Sequence, residues 1–561
     1  MAGRWEEPRK IEVNFMSVNS KSGVVSDPLH EIGGATTTWT TVNTRENFPG
    51  VATPLGWTFW RDPLERGMKG AFCDIGVLSP ADVVVPVDVD NRFSAAIFGR
   101  FSANVDCLRR VADKMPGTSG DALEEQLLGS VRPDAPSARS VRRYPVVAFK
   151  MPRAVWALTT RIAALRQETD EWWRAIVRRP PRSLSDARRV LREASAQFEL
   201  VMRPHSIVTL LGTGIFETVA KLAVESGNPG LEKTLVSGYG GLEEAQIAAD
   251  LWKVSRGELD MEEFLRLHGY HGPLEAEISA LSWREDPAPV RNLVVGYSKL
   301  PNSSSPTLRA QRQVSERQRA ERELMTGLST LRRLTARIVL KIARRYIPLR
   351  EVGKAAFLQT LDAARVAIRF LGSELQLQGW IESADDVRFL TVDELLEGGD
   401  AELRVLVAVR KSRYREYSEL TLPDVWVGEP ETFADTTMAA GSGGTRDLDT
   451  VEVEGLPVSP GVVEGVAHVV LSGADNDIDS DEILVCPTTD PSWTSYFLIA
   501  SAVVIDIGGP LSHGAIVARE MGIPCVINTG NGTKRIRTGD RIRVDGSTGR
   551  IQILEFVSES E

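Results

Sequence analysis

The sequence predicts a multidomain protein in which a mostly α-helical region is followed by a small α/β domain. A chain of 561 residues is too long for one hydrophobic core. Before residue 435 apolar residues recur at three- and four-residue spacing, whereas after residue 450 short β-type runs alternate with turn residues. We therefore expect a helical domain over 1–435, a flexible linker over 436–450 and an α/β domain over 451–561.

The first region alternates between irregular and helical patterns. Trp39 to Phe101 is predicted to be irregular, because four prolines (Pro49, Pro54, Pro63 and Pro86) interrupt any long element. Apolar periodicity then predicts helices at Asp121–Leu128, Asp186–Val201, Leu242–Trp252, Ser315–Ala343 and Glu351–Leu371. The run from Thr436 to Thr445 consists of small residues with no apolar period, which is typical of a linker.

The C-terminal region reads as strands with one short helix. The predicted strands are Gly461–Leu471, Glu482–Cys486, Ala502–Asp506, Pro524–Asn528, Asp540–Asp545 and Arg550–Leu554. The helix spans Ala515 to Met521, because Ser512 can cap its first turn, Gly522 suits the left-handed C′ position and Pro524 prevents continuation.

Composition excludes several classes of protein. The apolar fraction of 42% is ordinary for a globular protein. No run approaches the roughly 20 apolar residues that span a membrane, so we expect no membrane-spanning segment. A net charge of −10 argues against nucleic acid as a partner. The four cysteines form no C-x-x-C pair, so neither a disulfide framework nor a metal site is expected. The N-terminus lacks a secretory h-region, and we expect a cytoplasmic protein.

One of the six histidines, His513, lies in a pattern typical of a phosphate site. A strand runs into Gly508, Gly509 and Ser512, and His513 stands on the opening turn of the following helix. Glycines let the backbone approach a ligand, and the free amides and dipole of a helix start favour an anion. A neutral imidazole is a nucleophile at neutral pH, and Arg519 is a candidate to steady the phosphate charge.

The run from Gly508 to Val526 resembles the signature of the phosphohistidine domain in phosphoenolpyruvate-utilising enzymes. The similarity extends over the C-terminal domain, from Val458 to Gly546. It implies a swivelling phosphohistidine domain that carries a covalent phosphoryl group on His513 between an ATP site and an acceptor site. The preceding helical domain would then bind the acceptor substrate.

The order of helical region, linker and histidine domain resembles rifampin phosphotransferase without its ATP-grasp domain. The run from Leu349 to Lys354 is similar to a family Arg-Glu-x-x-Lys motif, which implies that Arg350 and Lys354 supply cations to the transferring phosphoryl group. The two residues are four apart and share a helix face. Glu351 between them would orient Arg350 or act as an acid–base group.

The source of ATP is expected to be another polypeptide, because the chain shows no Walker loop and no room for an ATP-grasp module. The histidine-bearing subunit of phenylphosphate synthase-type enzymes is similar in this respect. That resemblance implies a dikinase in which a separate ATP-grasp subunit binds ATP and Mg²⁺, AMP and phosphate form, and a hydroxylated, aromatic acceptor is phosphorylated for aromatic catabolism. A phosphorelay carrier, a rifampin-type antibiotic phosphotransferase component and a non-catalytic scaffold are the alternatives.

Candidates for the acceptor site are a group of aromatic residues and two histidines. Eight of the nine aromatic residues from Trp39 to Phe101 suggest an apolar pocket, although core packing explains them equally well (Trp39, Trp57, Phe59, Trp60, Phe72, Phe93, Phe98 and Phe101). His268 and His271 are candidate bases for the acceptor's hydroxyl proton, and ordinary packed histidines are nearly as consistent with the pattern.

Overall fold

The computed structural model of the protein describes residues 27–434 and 452–557, with short gaps. The gaps are 43, 46–47, 134, 138, 240–242, 399–401, 472–481, 490–493, 498 and 510–511. At 434, 494, 495 and 513 it describes the backbone and not the side chain. The predicted linker over 436–450 lies outside the described residues, so its flexibility and the swivelling of the domain it joins stay predictions.

The described residues before 435 are mostly helical. The helices are α1 (Pro54–Asp74), α2 (Val105–Ala112), α3 (Gly120–Leu128), α4 (Tyr144–Arg178), α5 (Leu184–Glu225), α6 (Leu231–Leu235), α7 (Glu243–Ser255), α8 (Met261–His268), α9 (Ala288–Lys299), α10 (Pro306–Gly327), α11 (Thr330–Leu377), α12 (Val392–Glu397) and α13 (Glu402–Ser418). Helix α5 packs along α11 and α1, and α4 packs against α11, so these four helices form the frame of the domain.

The prediction that Trp39 to Phe101 is irregular was wrong, because α1 occupies 21 residues of it. Pro54 stands at the start of α1, where its missing N–H costs no helical hydrogen bond, and the Thr53 side chain caps the helix by accepting from the Gly56 amide at 2.9 Å. Pro63 does lie inside the helix. Burial of Trp57 and Phe59 compensates for the bond that Pro63 removes.

The helix predicted over Ser315–Ala343 is divided in two, and the second part joins the helix predicted at Glu351. Helix α10 ends at Gly327, where an added Cβ would lie 2.2 Å from the carbonyl oxygen of Ser226. Only glycine permits this close approach of α10 to the end of α5. Helix α11 then runs for 48 residues through Pro348, so neither boundary follows the apolar period.

Short strands complete the first domain. They are β1 (Thr38–Thr40), β2 (Ser94–Ile97), β3 (Arg100–Asn104), β4 (Leu420–Thr421), β5 (Val425–Val427) and β6 (Phe433–Ala434). An antiparallel sheet of order β2-β3-β1-β5 joins the two ends of the domain, with Trp39 opposite Trp426. Seven of the eight aromatic residues noted above are buried in this region, and Phe72 is partly buried.

The C-terminal domain is built on one mixed sheet, as the β-type runs predict. Its strands are β7 (Glu452–Glu454), β8 (Leu456–Ser459), β9 (Val462–Val469), β10 (Glu482–Cys486), β11 (Ala502–Ile505), β12 (Cys525–Ile527), β13 (Arg541–Asp545) and β14 (Arg550–Glu555), in the order β7-β14-β13-β9-β10-β11-β12-β8. Strands β9 to β12 are parallel. The helices are α14 (Thr494–Phe497), α15 (His513–Met521) and α16 (Gly532–Arg535). The sequence did not predict β7 and β8.

Helix α5 is the one described helix that is long and apolar enough to cross a membrane. This follows from length and composition alone, and 33% of its apolar window is buried inside the protein. Core helices pass the same test, so the finding is weak.

The two domains contact each other directly. One apolar cluster contains residues of α7, α8 and α9 together with residues around α14 and α15, including Tyr297 and Phe497. Lys233 Nζ donates to the carbonyl oxygen of Pro457 at 2.5 Å, and the Gly238 amide donates to Glu520 Oε2 at 2.9 Å. The helix that begins at His513 therefore lies on the helical domain.

Candidate active site

Helix α15 has the start and end that its sequence predicts, and it begins at His513. The side chain of Ser512 accepts a hydrogen bond from the Ala515 amide, and Gly522 adopts a left-handed conformation with φ 64°. His513 is thus the first residue of a capped helix, where free amide groups and the helix dipole favour an anion. Its imidazole lies outside the described residues.

The glycine that the loop requires for packing is Gly514. An added Cβ there would lie 2.6 Å from Thr489 Oγ1 and 2.7 Å from Ile505 Cδ1. A residue other than glycine at position 514 would therefore not permit the observed approach of α15 to β11. Neither Gly508 nor Gly509 has a positive φ, and a Cβ on Gly509 would meet no atom within 4 Å. A left-handed backbone conformation is therefore not the reason for glycine at these two positions.

Arg350 and Lys354 lie on α11 opposite this helix, but their surroundings differ. Arg350 lines a cavity of about 60 Å³ together with Glu351 from α11 and Ile516, Arg519 and Glu520 from α15. Arg519 is buried there, and burial lowers its pKa to about 10. The structure thus brings Arg350, Glu351 and Arg519, three predicted site residues, to one cavity between the domains.

Lys354 is held by buried carboxylates. Its Nζ donates to Glu244 Oε1 at 2.6 Å and lies 3.8 Å from Glu275 Oε2. Burial alone would lower the pKa of Lys354, but Glu244, Glu275 and Glu351 outweigh it and raise the pKa. Lys354 therefore keeps its charge at all physiological pH values, in a fixed position.

His271 continues this chain of alternating charges. Its Nδ1 lies 2.5 Å from Glu275 Oε1, and its Nε2 lies 4.0 Å from Glu243 Oε1. Burial opposes the charged imidazole, yet Glu275 and Glu243 outweigh it and raise the pKa of His271 to about 9. Glu243 also accepts a hydrogen bond from Tyr270. We call Glu243, Glu244, His271, Glu275, Glu351 and Lys354 the buried charge cluster.

Glu351 is an acid of this cluster that takes up a proton more readily than an ordinary carboxyl group. Only 5% of the residue is exposed, and burial together with the nearby charge of Glu244 raises its pKa to about 8, against the effect of Lys354 and Arg350. Its Oε1 lies 3.7 Å from Arg350 Nε, and its Oε2 has no hydrogen-bond partner among the described residues. A carboxyl group of this kind exchanges protons near neutral pH.

His205, which the sequence reading did not single out, packs against the same part of α11. A Cβ on Gly353 would lie 2.7 Å from His205 Nδ1. Burial, followed by the charges of Arg350 and Lys354, lowers the pKa of His205 to about 3, so the imidazole stays neutral. It adds no charge beside the two cations.

His268 takes a separate position at the end of α8. Its Nε2 lies 3.0 Å from Asp250 Oδ2, and Asp250 also pairs with Lys253 at 2.7 Å. Asp250 lies on the same helix as Glu244, but His268 lines neither of the two cavities described next to α15. The structure therefore connects His271, and not His268, to the buried charge cluster.

A large apolar cavity opens beside the site. It has a volume of about 390 Å³ and is lined by residues of α1, α2, α3, α4, α5 and α11 and of the loop between α2 and α3, among them Phe72, Met115, Met151, Leu211 and Ile342. Thr213 on α5 lines both this cavity and the smaller one that contains Arg350. Of the predicted aromatic residues, Phe72 alone lines it among the described side chains.

The sequence reading missed Glu243, Glu244, Glu275 and Glu520. The adjacent acids Glu243 and Glu244 start a helix, where acids are ordinary, and Glu520 reads as one polar residue of an amphipathic helix. Glu275 follows the predicted candidate His271 by four residues, but this spacing does not show that Glu275 faces Lys354. In the described part of the chain, no group of three or more His, Cys, Asp or Glu side chains is arranged to hold a metal ion.

Two family models match segments of the chain. Residues 478–549 match the mobile domain of PEP-utilising enzymes, and residues 255–351 match the fourth domain of rifampicin phosphotransferase. The first segment contains His513, and the second contains His268, His271, Arg350 and Glu351. These matches confirm the resemblance to both families that the sequence predicted.

Curated relatives agree with the models. A rifampicin phosphotransferase of Bacillus cereus is 29% identical over 303 residues, which are 52% of this chain and 34% of the relative. One from a Streptomyces species is 34% identical over 309 residues, again 52% and 34%. An uncharacterised protein of Mycobacterium tuberculosis is 32% identical over 297 residues, 53% of this chain and 31% of the relative. The match thus covers about a third of the length of each relative.

Proposed function

We propose that this chain, which carries the mobile domain of PEP-utilising enzymes and a segment of rifampicin phosphotransferase type, transfers a phosphoryl group from His513 to a hydroxylated small molecule. The observation that supports it best is the position of α15, whose residues Ile516, Arg519 and Glu520 share a cavity with Arg350 and Glu351. In this pose the histidine helix and the acceptor-side cations meet.

Transfer balances with the groups at hand. The acceptor's hydroxyl oxygen attacks phosphorus, the O–P bond forms, the N–P bond to His513 breaks and the hydroxyl proton passes to Glu351. Arg350 and Arg519 place positive charge beside the cavity, which is what a loose phosphoryl transition state requires. Glu351 suits the role of base better than His271, because its pKa of about 8 leaves a larger share of the side chain deprotonated near neutral pH than the pKa of about 9 does for His271.

The acceptor's body would occupy the 390 Å³ cavity. Its lining is mostly apolar, which fits an aromatic or otherwise apolar molecule of drug size that presents one hydroxyl past Thr213. The phenolic acceptor and the antibiotic acceptor are both of this class.

We further propose a cytoplasmic, two-component dikinase in which a separate ATP-grasp polypeptide binds ATP and Mg²⁺. His513 attacks the β phosphorus and AMP leaves, and water then cleaves off the γ phosphate as inorganic phosphate, which leaves the β phosphoryl group on His513. Two observations support this proposal: carboxylates and cations of the described residues surround the proposed transfer site, and segments of the chain match the mobile domain of PEP-utilising enzymes and the fourth domain of rifampicin phosphotransferase. Loading would then take place in a second pose of the α/β domain, which makes the linker over 436–450 its hinge.

The test mixes the chain with a free-standing ATP-grasp polypeptide, sought first in the neighbouring reading frames, together with Mg²⁺ and ATP labelled at its β phosphorus. We expect the label on the wild-type chain, none on His513→Ala and none on the wild type without the partner. Adding phenol or rifampicin should then discharge the label to the acceptor that fits. His513→Ala should unfold at the wild-type temperature, since one substitution at a helix start costs little.

Two outcomes would contradict the proposal. A His513→Ala chain that still phosphorylates the acceptor would remove the phosphohistidine. ATP consumption by the isolated wild-type chain would show that no separate ATP-binding polypeptide is needed, whereas the proposed transfer from His513 would stand.

A further inference from the structure

The contact between Glu520 and Gly238 is the best-defined polar link between the two domains. Glu520 lies near the end of α15, and its Oε2 accepts a hydrogen bond from the Gly238 amide at 2.9 Å. Gly238 has φ 66°, and an added Cβ would lie 2.9 Å from the backbone of Gln313, so the loop before α7 is pressed onto α10. The helical domain therefore presents a fixed N–H donor to the arriving helix.

The surroundings of Glu520 are unusual for a carboxylate. A narrow cleft between the domains is lined by three acids, Glu244 of α7, Glu351 of α11 and Glu520 itself, and otherwise by apolar side chains such as Ile516 and Met521. Two of these acids, Glu244 and Glu351, are buried in the helical domain. Docking thus brings a third acid against two that are already in place.

Cations only partly offset this gathering of acids. Burial is the main effect on Glu520 and Glu244 adds to it, whereas the Gly238 N–H, Arg519 and Arg317 oppose it, and the pKa of Glu520 rises to about 7. The charged or titratable groups on the elements around α15 are Arg317 (α10), Glu244 (α7), Glu232 and Lys233 (α6), Arg350, Glu351 and Lys354 (α11), Arg519 (α15) and Cys525 (β12).

We propose that Glu520 is the residue that positions the α/β domain on the helical domain, and that it docks as a neutral carboxylic acid, so that the approach of His513 to Arg350 takes up a proton. The inference rests on the proposed function only for the purpose of docking, which is the transfer of the phosphoryl group. A neutral carboxyl group still accepts from the Gly238 amide through one oxygen, and it adds no third negative charge to the cleft.

The direction of the pH dependence follows from linkage. When the domain is released, Glu520 is solvated and has an ordinary pKa near about 4.3, whereas the docked pKa is raised. The docked state therefore binds the extra proton. Docking is strongest below the released pKa, weakens as pH rises through the window between the two pKa values, and is weakest above about 7. From pH 5 to pH 8 the docking constant should fall by up to about a hundredfold.

The experiment measures docking on the unphosphorylated full chain, so it does not depend on the partner, on ATP or on an acceptor. Spin labels at Gln378→Cys and Thr548→Cys, on exposed positions of the two domains, report the interdomain distance, since the native cysteines are buried. The docked fraction is recorded at pH 5, 6.5 and 8 for wild type, Glu520→Gln and Glu520→Ala. Glu464→Gln, on an exposed strand of the same domain, is the matched control.

We expect wild type and Glu464→Gln to lose the docked distance as pH rises, and Glu520→Gln to stay docked at pH 8. Glu520→Ala, which leaves the Gly238 N–H without its acceptor, should dock about tenfold more weakly at pH 5 than Glu520→Gln. A wild-type docked fraction that is constant from pH 5 to 8, or a Glu520→Gln chain no better docked than Glu520→Ala, would overturn the proposal. A chain that docks as expected but never forms phosphohistidine would instead count against the proposed function.

Discussion

The two halves of the proposed transfer site are built in different ways. On the helical domain, Lys354 is fixed by Glu244 at 2.6 Å and neighbours Glu275 at 3.8 Å, and His271 lies 2.5 Å from Glu275. Glu244, His271 and Glu275 are buried, and Lys354 is partly buried. On the α/β domain, the histidine stands at the start of a nine-residue helix whose anion site consists of backbone amides and a serine cap. One half is a network of side chains, and the other is a local backbone feature.

This difference suits the two tasks. A carrier that must work at two places should bring its own ligand site, and backbone amides move with the helix at no cost in reorganisation. A stationary acceptor site gains from charges that are already paired and oriented before the phosphoryl group arrives. We therefore expect substitutions in the buried charge cluster to affect discharge of phosphohistidine and those at the helix start to affect both steps.

Arg350→Ala should give the largest separation of the two steps. Loss of a preorganised cation typically lowers the rate by about 10² to 10³, and we expect this in discharge to the acceptor and not in loading from ATP. Stability should change little, because the Arg350 side chain is 31% exposed. Lys354→Ala should slow discharge as well and also destabilise the fold by about 3–5 kcal/mol, since it removes the Lys354 cation from the buried carboxylate of Glu244 and leaves Glu275 with His271.

The measurement traps labelled phosphohistidine with the ATP-grasp partner and follows its decay after acceptor is added. Arg345→Ala is the matched control, because Arg345 is an exposed arginine on the same helix and contacts Thr159. Equal defects in loading and discharge for Arg350→Ala would show that the cation acts on structure rather than on the transfer step.

Glu351→Gln should have a smaller effect on the same step. General-base contributions are modest in loose phosphoryl transfer, so we expect discharge to fall by about tenfold to a hundredfold at pH 8. With its pKa raised to about 8, Glu351 gains base character as pH rises. The wild-type discharge rate in the docked chain should therefore increase up to about pH 8 and then level off, whereas the Gln variant should lack this rise. A rising profile that survives in Glu351→Gln would assign the base elsewhere.

The sequence predicted these two halves with unequal success. Strands β9 to β14 and helix α15 follow local signals, namely alternation, Ser512 and Gly522, so their positions were predicted to within two residues. The phosphate site that we propose at His513 rests on the same signals, because it is local to one turn.

The helical domain depends on contacts between distant residues, which no local pattern shows. The division of α10 from α11 follows from the approach of Gly327 to Ser226, a hundred positions away in the chain, and α1 persists through Pro63 because its aromatic residues are buried. Likewise, Arg350 and Lys354 share a helix face by spacing, but Glu244 and Glu275 come from other segments. Their carboxylates reach Lys354 only in the folded domain.

The smallest effect we predict concerns the local half of the comparison. If the helix start is positioned by close packing, Gly514→Ala should destabilise the α/β domain by about 1–3 kcal/mol, because the new Cβ would lie 2.6 Å from Thr489 Oγ1 and 2.7 Å from Ile505 Cδ1. Gly509→Ala is the matched control: it adds the same methyl group to the same loop, but no atom lies within 4 Å of it, so the change should stay within about 0.5 kcal/mol. Amide hydrogen exchange in the full chain, compared for β11 and α15 in the two variants, measures this difference. Equal exchange rates would mean that the loop yields to the methyl group, and the histidine helix would then owe its position to the contact with the helical domain rather than to the sheet beneath it.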